Sequence, residues 1–529
     1  MNFGPGPAGL VVALAGGVAA TALSLRGRTR GATWAVSAAF AGVSVALVTL
    51  AVALLDVDGS LVYVADHTSR ATRRPYRLAA LWGGMAGSLL LWTWMAAGWA
   101  VVALRAVGRR APWLLPGAQV VLGAYVVVFS GLLVFVSRPF ETLAVPAIDG
   151  GGLNPVLLHP AMLYHPPLLY AGAVGLVVPF ALAVAALASR QTAGPWMPLA
   201  VRSTGVSLVL LSAGLLAGAH WAYVELGWGG YWAWDPVENG GLLPWLAAVA
   251  FLHAAVVARR RAGPATTAAA LASLAFVLGL LGSFLTRSGA VESVHAFAEA
   301  RTVGWVLGVT LAAAAAVVVR LVARDRRRSR PRAAPRALSG KGAVVANNAL
   351  LLGLVLVIAF GALYPVVAGW VTGERVVVTG RYFTLVTTPL VIALLALLGL
   401  GPRLGWRSTA RAELGRRLRP ALAGLPVAAV AGVWFDERPP VAILLVGLAA
   451  AAAALTVAEW RRRGRGTWPL AHLGVAVLLA GAAGTTTGSQ ISVSMSPGNE
   501  IRFRGYTLRV LEVVPVPIPD GGRAAEARL

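Results

Sequence analysis

Long apolar runs separated by short polar segments make up most of the sequence. Fourteen of these runs approach or exceed the roughly 20 residues that an α-helix needs to cross a bilayer. We therefore predict an all-α polytopic membrane protein with about 14 transmembrane helices. The predicted spans are 8–25, 32–54, 79–104, 116–136, 165–188, 203–219, 240–258, 266–285, 302–322, 343–363, 383–401, 420–434, 440–458 and 468–487.

The pattern changes near the C-terminus, where apolar and polar residues alternate between positions 501 and 510. An alternation with a period of two predicts strands. We therefore divide the chain into a polytopic membrane domain, residues 1–487, and an outer C-terminal segment, residues 488–529. That segment is too short to bury a core of its own, and we predict that it is part of a β domain.

The formal net charge is +25, a balance that in a soluble chain would suggest nucleic acid as a partner. Here the arginines fall in clusters on alternate loops between apolar runs, which the positive-inside rule explains. We therefore predict the lipid bilayer, and no nucleic acid, as the partner of these charges. The rule places the N-terminus and the loop at 221–239 outside. The outer loop 56–78 is an exception, because it carries four arginines.

The sequence contains no cysteine. The chain therefore cannot form disulfides, exchange thiols or carry a thioether-linked cofactor through its own side chains. If the protein takes part in thiol chemistry, the thiols belong to a partner.

Residues 221–239, WAYVELGWGGYWAWDPVEN, concentrate aromatic side chains in one outer loop, with glycines and acidic residues among the rings. Tryptophan and tyrosine do anchor helices at membrane interfaces, but one or two rings per helix end serve that purpose. We interpret the stretch as an aromatic shelf outside the bilayer that holds a flat, apolar ligand. The candidate binding residues are Trp221, Tyr223, Trp228, Trp232, Trp234 and Asp235.

Two histidines lie in outer segments that flank the aromatic stretch. His165 opens the fifth predicted span, and His295 lies in the outer loop 286–301. Neutral imidazole is a natural iron ligand, so two outer imidazoles beside an aromatic shelf suit axial ligation of a haem iron. The alternative is that both are polar residues at helix ends.

His253 and His472 lie within predicted spans, roughly 20 Å below their outer ends at 1.5 Å per residue. Ionisable residues inside a membrane are functional candidates, and two imidazoles at one depth can ligate a second haem between helices. A hydrogen bond to a helix carbonyl, or an interfacial position, is the alternative. His67, His159 and His220 are more typical of interfacial polar residues than of ligands.

The stretch from Trp221 to Asn239 resembles the WWD signature of the haem-handling proteins of cytochrome c maturation. Within that superfamily the chain is most similar to the CcmF family, and the similarity extends along most of the sequence. The further motifs that carry it are Leu153-Asn154-Pro155, His165-Pro166-Pro167-Leu168-Leu169-Tyr170, Gly282-Ser283-Phe284 to Arg287-Ser288-Gly289, Ser293-Val294-His295-Ala296-Phe297 and Leu470-Ala471-His472-Leu473-Gly474.

The resemblance implies a haem lyase subunit in a bacterial cytoplasmic membrane, with the WWD loop on the outer face. It implies that His165, His295 and the WWD stretch receive haem from a CcmE-type chaperone. It also implies that His253 and His472 hold a permanent haem b, which reduces the incoming haem with electrons from quinol. Together with CcmH-type and CcmI-type partners, such a protein joins the haem vinyl groups to the thiols of an apocytochrome c CxxCH motif.

Two alternatives remain open: a WWD-type haem exporter or chaperone loader that forms no bond, and an electron-carrying membrane subunit without haem delivery. No general acid–base pair stands out. The chain departs from the family pattern at Ala86, Arg138 and His220. The typical outer domain of the family continues beyond residue 529, so we expect a truncated or split version of that domain.

Overall fold

The fold is nearly all helical, which confirms the predicted class. The structure is a computed structural model. Within the part of the chain that it describes, strands occur only in the C-terminal segment. The described residues are 4–192, 195–226, 230–260, 265–291, 293, 295, 301–327, 336–373, 376–435, 440–464, 466–485, 495–503, 506–517 and 523–528.

The α-helices follow one another in long, mostly antiparallel passages. They are α1 (Pro5–Leu25), α2 (Thr29–Asp56), α3 (Val62–His67), α4 (Arg74–Ala79), α5 (Met85–Arg110), α6 (Leu115–Leu132), α7 (His165–Gly175), α8 (Val177–Ala188), α9 (Trp196–Glu225), α10 (Pro236–Arg259), α11 (Ala265–Arg287), α12 (Arg301–Arg326), α13 (Gly340–Thr372), α14 (Gly380–Leu400), α15 (Arg411–Leu418), α16 (Gly424–Trp434), α17 (Pro440–Arg463) and α18 (Trp468–Thr485). Short 3-10 helices cover Ala80–Trp82, Pro112–Leu114, Pro155–Leu157, Pro160–Leu163, Gly401–Arg403 and Arg419–Ala423, and a π-helical turn covers Leu133–Ser137.

Twelve helical stretches in the described residues are long and apolar enough to cross a membrane, so the protein is a multi-pass membrane protein. Every predicted span contains an apolar helix, although α16 is shorter than predicted, and residues 486–487 of the last predicted span lie outside the described residues. The span predicted at 165–188 is divided between α7 and α8. Pro179 explains the division, because it has no N–H to donate to the carbonyl of Gly175, where α7 ends.

The third span begins at Met85 rather than at the predicted residue 79, because Gly83 and Gly84 interrupt the helix. Gly84 has an extended backbone, with φ −129° and ψ 170°, and caps α5. At the C-terminus the predicted strands are present. Strand β1 (Glu500–Phe503) pairs antiparallel with β2 (Tyr506–Arg509), and β3 (Glu512–Pro517) with β4 (Arg523–Arg528).

Small residues bring neighbouring helices into close contact, as is typical of membrane bundles. A Cβ at Gly9 of α1 would lie 2.4 Å from the carbonyl oxygen of Gly42 of α2. A Cβ at Gly282 of α11 would lie 2.6 Å from the carbonyl oxygen of Gly240 of α10. The second contact fixes α11 against the helix that follows the aromatic stretch.

Because consecutive spans alternate in direction, the loops fall on two faces. We call the face with residues 221–239 the tryptophan face, and the face with Arg26, Arg110 and Arg259 the arginine face. The arginines of 56–78 lie on the tryptophan face, and the structure gives one of them a role. The Arg77 guanidinium donates hydrogen bonds to the carbonyls of Leu55, Arg70 and Thr72. The bond to Leu55 satisfies one of the free carbonyl groups at the C-terminal end of α2.

Candidate functional site: two histidine pairs and an aromatic loop

His253 of α10 and His472 of α18 face each other inside the bundle; we call them the helix pair. Their ring centroids lie 6.4 Å apart with 18° between the ring planes. They lie roughly 6 to 9 Å from the arginine-face ends of their helices, at 1.5 Å per residue. Trp468, one turn before His472, packs edge-on against the His472 ring at 5.2 Å.

Hydrogen bonding leaves the helix pair able to accept a metal. The His253 Nδ1 lies 2.9 Å from the carbonyl oxygen of Val249, and because a carbonyl only accepts, Nδ1 carries the proton and Nε2 keeps its lone pair. The His472 Nδ1 is buried and has no hydrogen-bond partner among the described residues. Two imidazoles that share one metal through bonds of about 2 Å have centroids about 6 Å apart, close to the observed separation.

His165 and His295 meet around Trp221 on the tryptophan face; we call them the loop pair. The His165 ring lies nearly parallel to the Trp221 indole, at 16° and 6.4 Å between centroids. The His295 ring packs against the same indole at 70° and 5.6 Å. One tryptophan therefore contacts both histidines, which are 130 residues apart in sequence.

Helix α9 fixes the His165 ring. Nδ1 lies 2.8 Å from the carbonyl oxygen of Gly214, so Nδ1 carries the proton and Nε2 is unprotonated. Gly218, one turn further along α9, leaves room for the ring: a Cβ there would lie 2.4 Å from the His165 Cε1. Both contacts come from the helix that leads into the aromatic stretch.

Asp235 and Ser293 position His295. The backbone N–H of His295 donates to the Ser293 Oγ at 2.9 Å, and the Ser293 hydroxyl donates to the Asp235 Oδ1 at 2.8 Å. The His295 Nδ1 lies 3.7 Å from the same carboxylate oxygen. The predicted site residue Asp235 thus joins the loop of His295 to the aromatic stretch.

Asp235 is also the N-cap of α10. Its carboxylate accepts hydrogen bonds from the N–H groups of Val237 and Glu238, at 2.7 and 3.4 Å, and Glu238 accepts in return from Ala233 and Asp235. This reciprocal capping box satisfies free N–H groups at the start of the helix. The aromatic stretch is therefore fixed to α10.

The tryptophans of the stretch differ in their surroundings. Trp234 has a backbone φ of 61°, which is rare for a bulky residue. Its ring stacks on that of Phe383 of α14, with 5.0 Å between the ring centroids and 1° between the ring planes. Trp232 packs edge-on against Trp234 at 6.4 Å, and its indole nitrogen is buried without a partner among the described residues. Tyr223 is 63% exposed. Trp228 lies outside the described residues.

Trp221 departs from the expectation of an open shelf. It is only 3% exposed, packs against Ala161 and Met162, and donates its indole N–H to the carbonyl of Val156. Its neighbours are packed because 3-10 turns bring residues 155–163 under the end of α9. Trp221 therefore holds the loop pair in place instead of presenting a free ring face.

Sequence reasoning named Arg287 only as part of a family motif and assigned it no role, although it is 1% exposed at the end of α11. Its guanidinium lies 5.2 Å from the Trp92 ring and 5.5 Å from the Tyr170 ring, and donates to the hydroxyls of Ser283 and Ser88. It joins α11 to α5 and α7. The signal in the sequence was an arginine at the tryptophan-face end of an apolar run, where the charge rule predicts none.

The remaining histidines lie elsewhere. The His159 Nε2 lies 3.9 Å from a Glu225 carboxylate oxygen, and its Nδ1 accepts from the N–H of Ala161. His220 is exposed, with its ring 6.1 Å from that of His159. His67 stacks on Tyr63 at 4.3 Å. None of the three joins either histidine pair.

The fold and the site define a class: multi-pass membrane proteins with one histidine pair in the bundle and a second beside a tryptophan-rich loop. Residues 82–291 match the family described as Cytochrome C assembly protein. The cytochrome c-type biogenesis protein ccl1 of Rhodobacter capsulatus is 33% identical over 509 residues, which cover 92% of this chain and 77% of that protein. The cytochrome c-type biogenesis protein CcmF of Escherichia coli is 33% identical over 495 residues, which cover 91% of this chain and 76% of that protein.

A solved structure named Cytochrome c Heme Lyase CcmF superposes with a TM-score of 0.77 at 30% identity, covering 99% of this chain and 84% of that one. The chain therefore belongs to the CcmF family of cytochrome c-type biogenesis proteins.

Proposed function

We propose that this protein is the haem lyase subunit of a bacterial system for c-type cytochrome maturation. Its tryptophan face would lie outside the cytoplasmic membrane, because the arginine clusters lie on the other face. The observation that carries the proposal is the presence of two separate histidine pairs, in each of which one Nδ1 donates to a helix carbonyl and leaves Nε2 free. The similarity to the solved structure named Cytochrome c Heme Lyase CcmF supports the same function.

The loop pair is the proposed site of the haem that is transferred, which is a substrate and not a resident group. In this proposal His165 and His295 ligate the iron, and Tyr223, Trp228, Trp232 and Trp234 contact the porphyrin. Trp221 takes a different role from the one first predicted. Because its buried indole contacts both imidazole rings, it helps to hold the two histidines in place.

The helix pair is the proposed site of a permanent haem b. The fit rests on the centroid separation of 6.4 Å, on the free Nε2 of His253 and on the buried, unpartnered Nδ1 of His472. A haem held there supplies one-electron redox chemistry. The residues of this chain orient the two imidazoles through the Val249 carbonyl and the edge of Trp468.

The proposed reaction joins two thiols of an apocytochrome c CxxCH motif to the vinyl groups of the transferred haem. Each sulfur forms a bond to a vinyl carbon, and the thiol hydrogen ends on the neighbouring carbon. The chain has no cysteine, so both sulfurs come from the substrate. Its contribution is to hold the reactants in place, which accounts for a large part of the acceleration in such reactions.

The proposed partners are a CcmE-type chaperone that brings haem, CcmH-type and CcmI-type subunits that bring the apocytochrome, and quinol as the reductant. We assign residues 1–487 to the membrane domain and 488–529 to a segment on the tryptophan face. The hairpin of β1 and β2 supports a β character for that segment.

The test combines absorption spectra with cytochrome maturation. Purified wild-type protein is expected to show the spectrum of a bis-imidazole haem, and His253→Ala and His472→Ala to lose it. His165→Ala and His295→Ala are expected to keep that spectrum but to abolish holo-cytochrome c formation in cells. His220→Ala, an exposed histidine beside the same loop, serves as the control.

An unchanged spectrum in both helix-pair variants would refute the inner site. If the wild-type chain loads the haem chaperone in cells that lack their usual loader, yet forms no holo-cytochrome c, the exporter function replaces the lyase.

A further inference from the structure

A group of charged side chains joins the arginine-face ends of α14 and α17, and it includes none of the paired histidines. At its centre is Glu459 of α17, which is 0% exposed. The Glu459 Oε2 lies 3.7 Å from the Arg403 Nε and accepts from the Arg462 Nε at 3.0 Å. The other oxygen, Oε1, accepts from both Arg462 and Arg463. We call the connected residues the arginine cluster: Arg403, Arg417, Arg462, Arg463, Glu413 and Glu459.

The arginine cluster is built into the fold. Arg403 is buried just after α14, and its guanidinium donates to the carbonyl oxygens of Arg417 and Leu455, at 2.8 and 2.9 Å. Arg417 of α15 donates in return to the carbonyl oxygen of Arg403 at 2.6 Å, and it also pairs with Glu413. These bonds fix the segment after α14 to α15 and to α17.

Two guanidiniums of the cluster remain accessible. The side chains of Arg462 and Arg463 are about half exposed. The Arg462 Nη2 and the Arg463 Nε each lie 2.5 Å from the Glu459 Oε1, so these two nitrogens are at most 5.0 Å apart. The Nη1 nitrogens of both arginines have no hydrogen-bond partner in the part of the chain that the structure describes. Neighbouring guanidiniums with unused N–H groups suit the oxygens of a phosphate.

The positive-inside rule accounts for arginines on this face but not for this arrangement, because the rule requires only charge. Arg109 and Arg110, the arginine pair at the end of α5, are exposed and form no ion pair within the described ranges. The cluster instead contains a buried carboxylate, which is costly to desolvate unless it is well paired. Its four arginines and two glutamates leave a net charge of +2, so an anion at Arg462 and Arg463 would be stabilised.

Apolar surface on the neighbouring helix favours a lipid over a soluble anion. Leu422 and Leu425, where α16 begins, are 63% and 66% exposed. Between them Gly424 packs on α17, where its Cβ would lie 2.4 Å from the Gly447 carbonyl oxygen. Gly447 precedes Arg463 by 16 residues on the same helix, roughly 24 Å at 1.5 Å per residue. The exposed leucines therefore lie at the depth of acyl chains when the arginines lie at the membrane surface.

From these contacts we propose that the arginine cluster binds the phosphate of an anionic phospholipid in the leaflet on the arginine face. Arg462 and Arg463 donate to the phosphate oxygens, and Glu459 positions the two guanidiniums. The site is separate from both histidine pairs, so the inference does not depend on the proposed function. Soluble phosphate esters carry the same group, and the experiment distinguishes them from the lipid.

The experiment measures lipid binding to the delipidated full chain in a non-ionic detergent by native mass spectrometry. The probe is dioleoyl phosphatidylglycerol, and one saturable lipid per chain is expected. Dioleoyl phosphatidylcholine, which has the phosphate but no net charge, should bind at least threefold more weakly. Glycerophosphoglycerol, the same headgroup without acyl chains, should not displace the probe at a hundredfold excess. Displacement by it would identify a site for soluble phosphate esters and overturn the lipid proposal.

The double variant Arg462→Gln with Arg463→Gln should weaken binding at least tenfold, the range for hydrogen bonds from charged groups. The matched control is Arg109→Gln with Arg110→Gln, which removes the same charge from the same face and should keep wild-type affinity. Equal weakening in both would show that only overall charge matters, and wild-type affinity in the first would show that the cluster is not the site. Either result overturns the proposal.

A charge-conserving variant keeps the proposal testable if the glutamine variant does not fold. Arg462→Lys with Arg463→Lys retains both charges but loses the planar donor groups, and it should weaken binding at least threefold. The unfolding temperature of each lipid-free variant reports on folding. If the lysine variant folds and binds phosphatidylglycerol as tightly as the wild type, the guanidiniums are not the phosphate ligands and the proposal fails.

Discussion

The imidazole rings of His253 and His472 lie 6.4 Å apart with 18° between their planes, although they belong to the distant helices α10 and α18. The two rings are held differently. The His253 Nδ1 is hydrogen-bonded to the carbonyl of Val249, whereas the His472 ring packs against the edge of Trp468 and its buried Nδ1 has no partner among the described residues. Of the two proposed ligands, His472 is therefore the one that a substitution can exchange with least disturbance.

We predict that His472→Met still binds the haem proposed for the helix pair, with a methionine in place of one imidazole. Methionine opposite histidine raises the reduction potential of haem iron. The expected rise is on the order of 100 mV, within the range of about 0.8 V that axial ligands cover. A redox titration followed by absorption measures it. His220→Met should leave the potential unchanged, and a wild-type potential in His472→Met would contradict ligation by His472.

Gly218→Ala should disable the loop pair without affecting the helix pair. The new Cβ would lie 2.4 Å from the His165 Cε1 and displace the ring. We expect at least a tenfold loss of holo-cytochrome c, with the absorption of the haem proposed for the helix pair unchanged. Gly205→Ala on the same helix is the control, because no atom lies within 4 Å of its Cβ. Alanine is the better helix former by roughly 0.5–1 kcal/mol, so helix propensity cannot explain a loss.

Asp235 combines two roles that substitutions separate. Asp235→Ala removes the N-cap of α10 and the acceptor of the Ser293 hydroxyl, and should cost about 1–2 kcal/mol of stability as well as maturation activity. Ser293→Ala removes only the link to the His295 loop. It should reduce holo-cytochrome c with less than about 1 kcal/mol loss of stability. Denaturant unfolding in detergent measures the stability of each variant, and the maturation assay measures its holo-cytochrome c formation. Equal stability losses in the two variants would argue against a separate positioning role for Ser293.

Arg287→Lys should destabilise the bundle although it conserves the charge. Lysine lacks the planar fork that contacts Ser88, Ser283 and Trp92 together. The expected loss in the free energy of unfolding is roughly 1–3 kcal/mol. Arg110→Lys, at an exposed end of α5, is the control and should have little effect. Equal stability of the two variants would show that the contacts of Arg287 contribute nothing.

The folded state should lose stability as the pH is lowered, and part of that loss should depend on His67. Burial lowers the pKa of His67 below its ordinary value of 6.5, although the Tyr63 carbonyl and Asp66 oppose the shift. As the pH falls through 6.5, the unfolded chain therefore binds a proton that the folded chain does not, and the folded state loses stability. Between pH 7.5 and 5, the unfolding temperature should decline less for His67→Gln than for the wild type. If the two unfolding temperatures decline in parallel, the lowered pKa of His67 is contradicted.

Much of the candidate site could be predicted because its signals are local. The aromatic stretch, Asp235 with Glu238 three residues later, and histidines within apolar runs are all visible in short windows of sequence. A cavity of about 370 Å³ on the tryptophan face gave no such signal. Its walls come from three segments, 62–67, 83–86 and 137–141, and the last of these follows a π-helical turn that periodicity does not reveal.

The sequence by itself determined the membrane class, the approximate spans and the face of each loop, because apolar length and arginine position act locally along the chain. The sequence also predicted which histidines pair, but only the tertiary structure gave the distances and angles of their rings, since α10 approaches α18, and α9 packs on α7, through contacts between residues far apart in sequence. The tertiary structure also decided that Trp221 is buried in contact with two imidazoles and that Arg287 is buried. Burial of that kind follows from the packing of several helices at once, which no single stretch of sequence encodes.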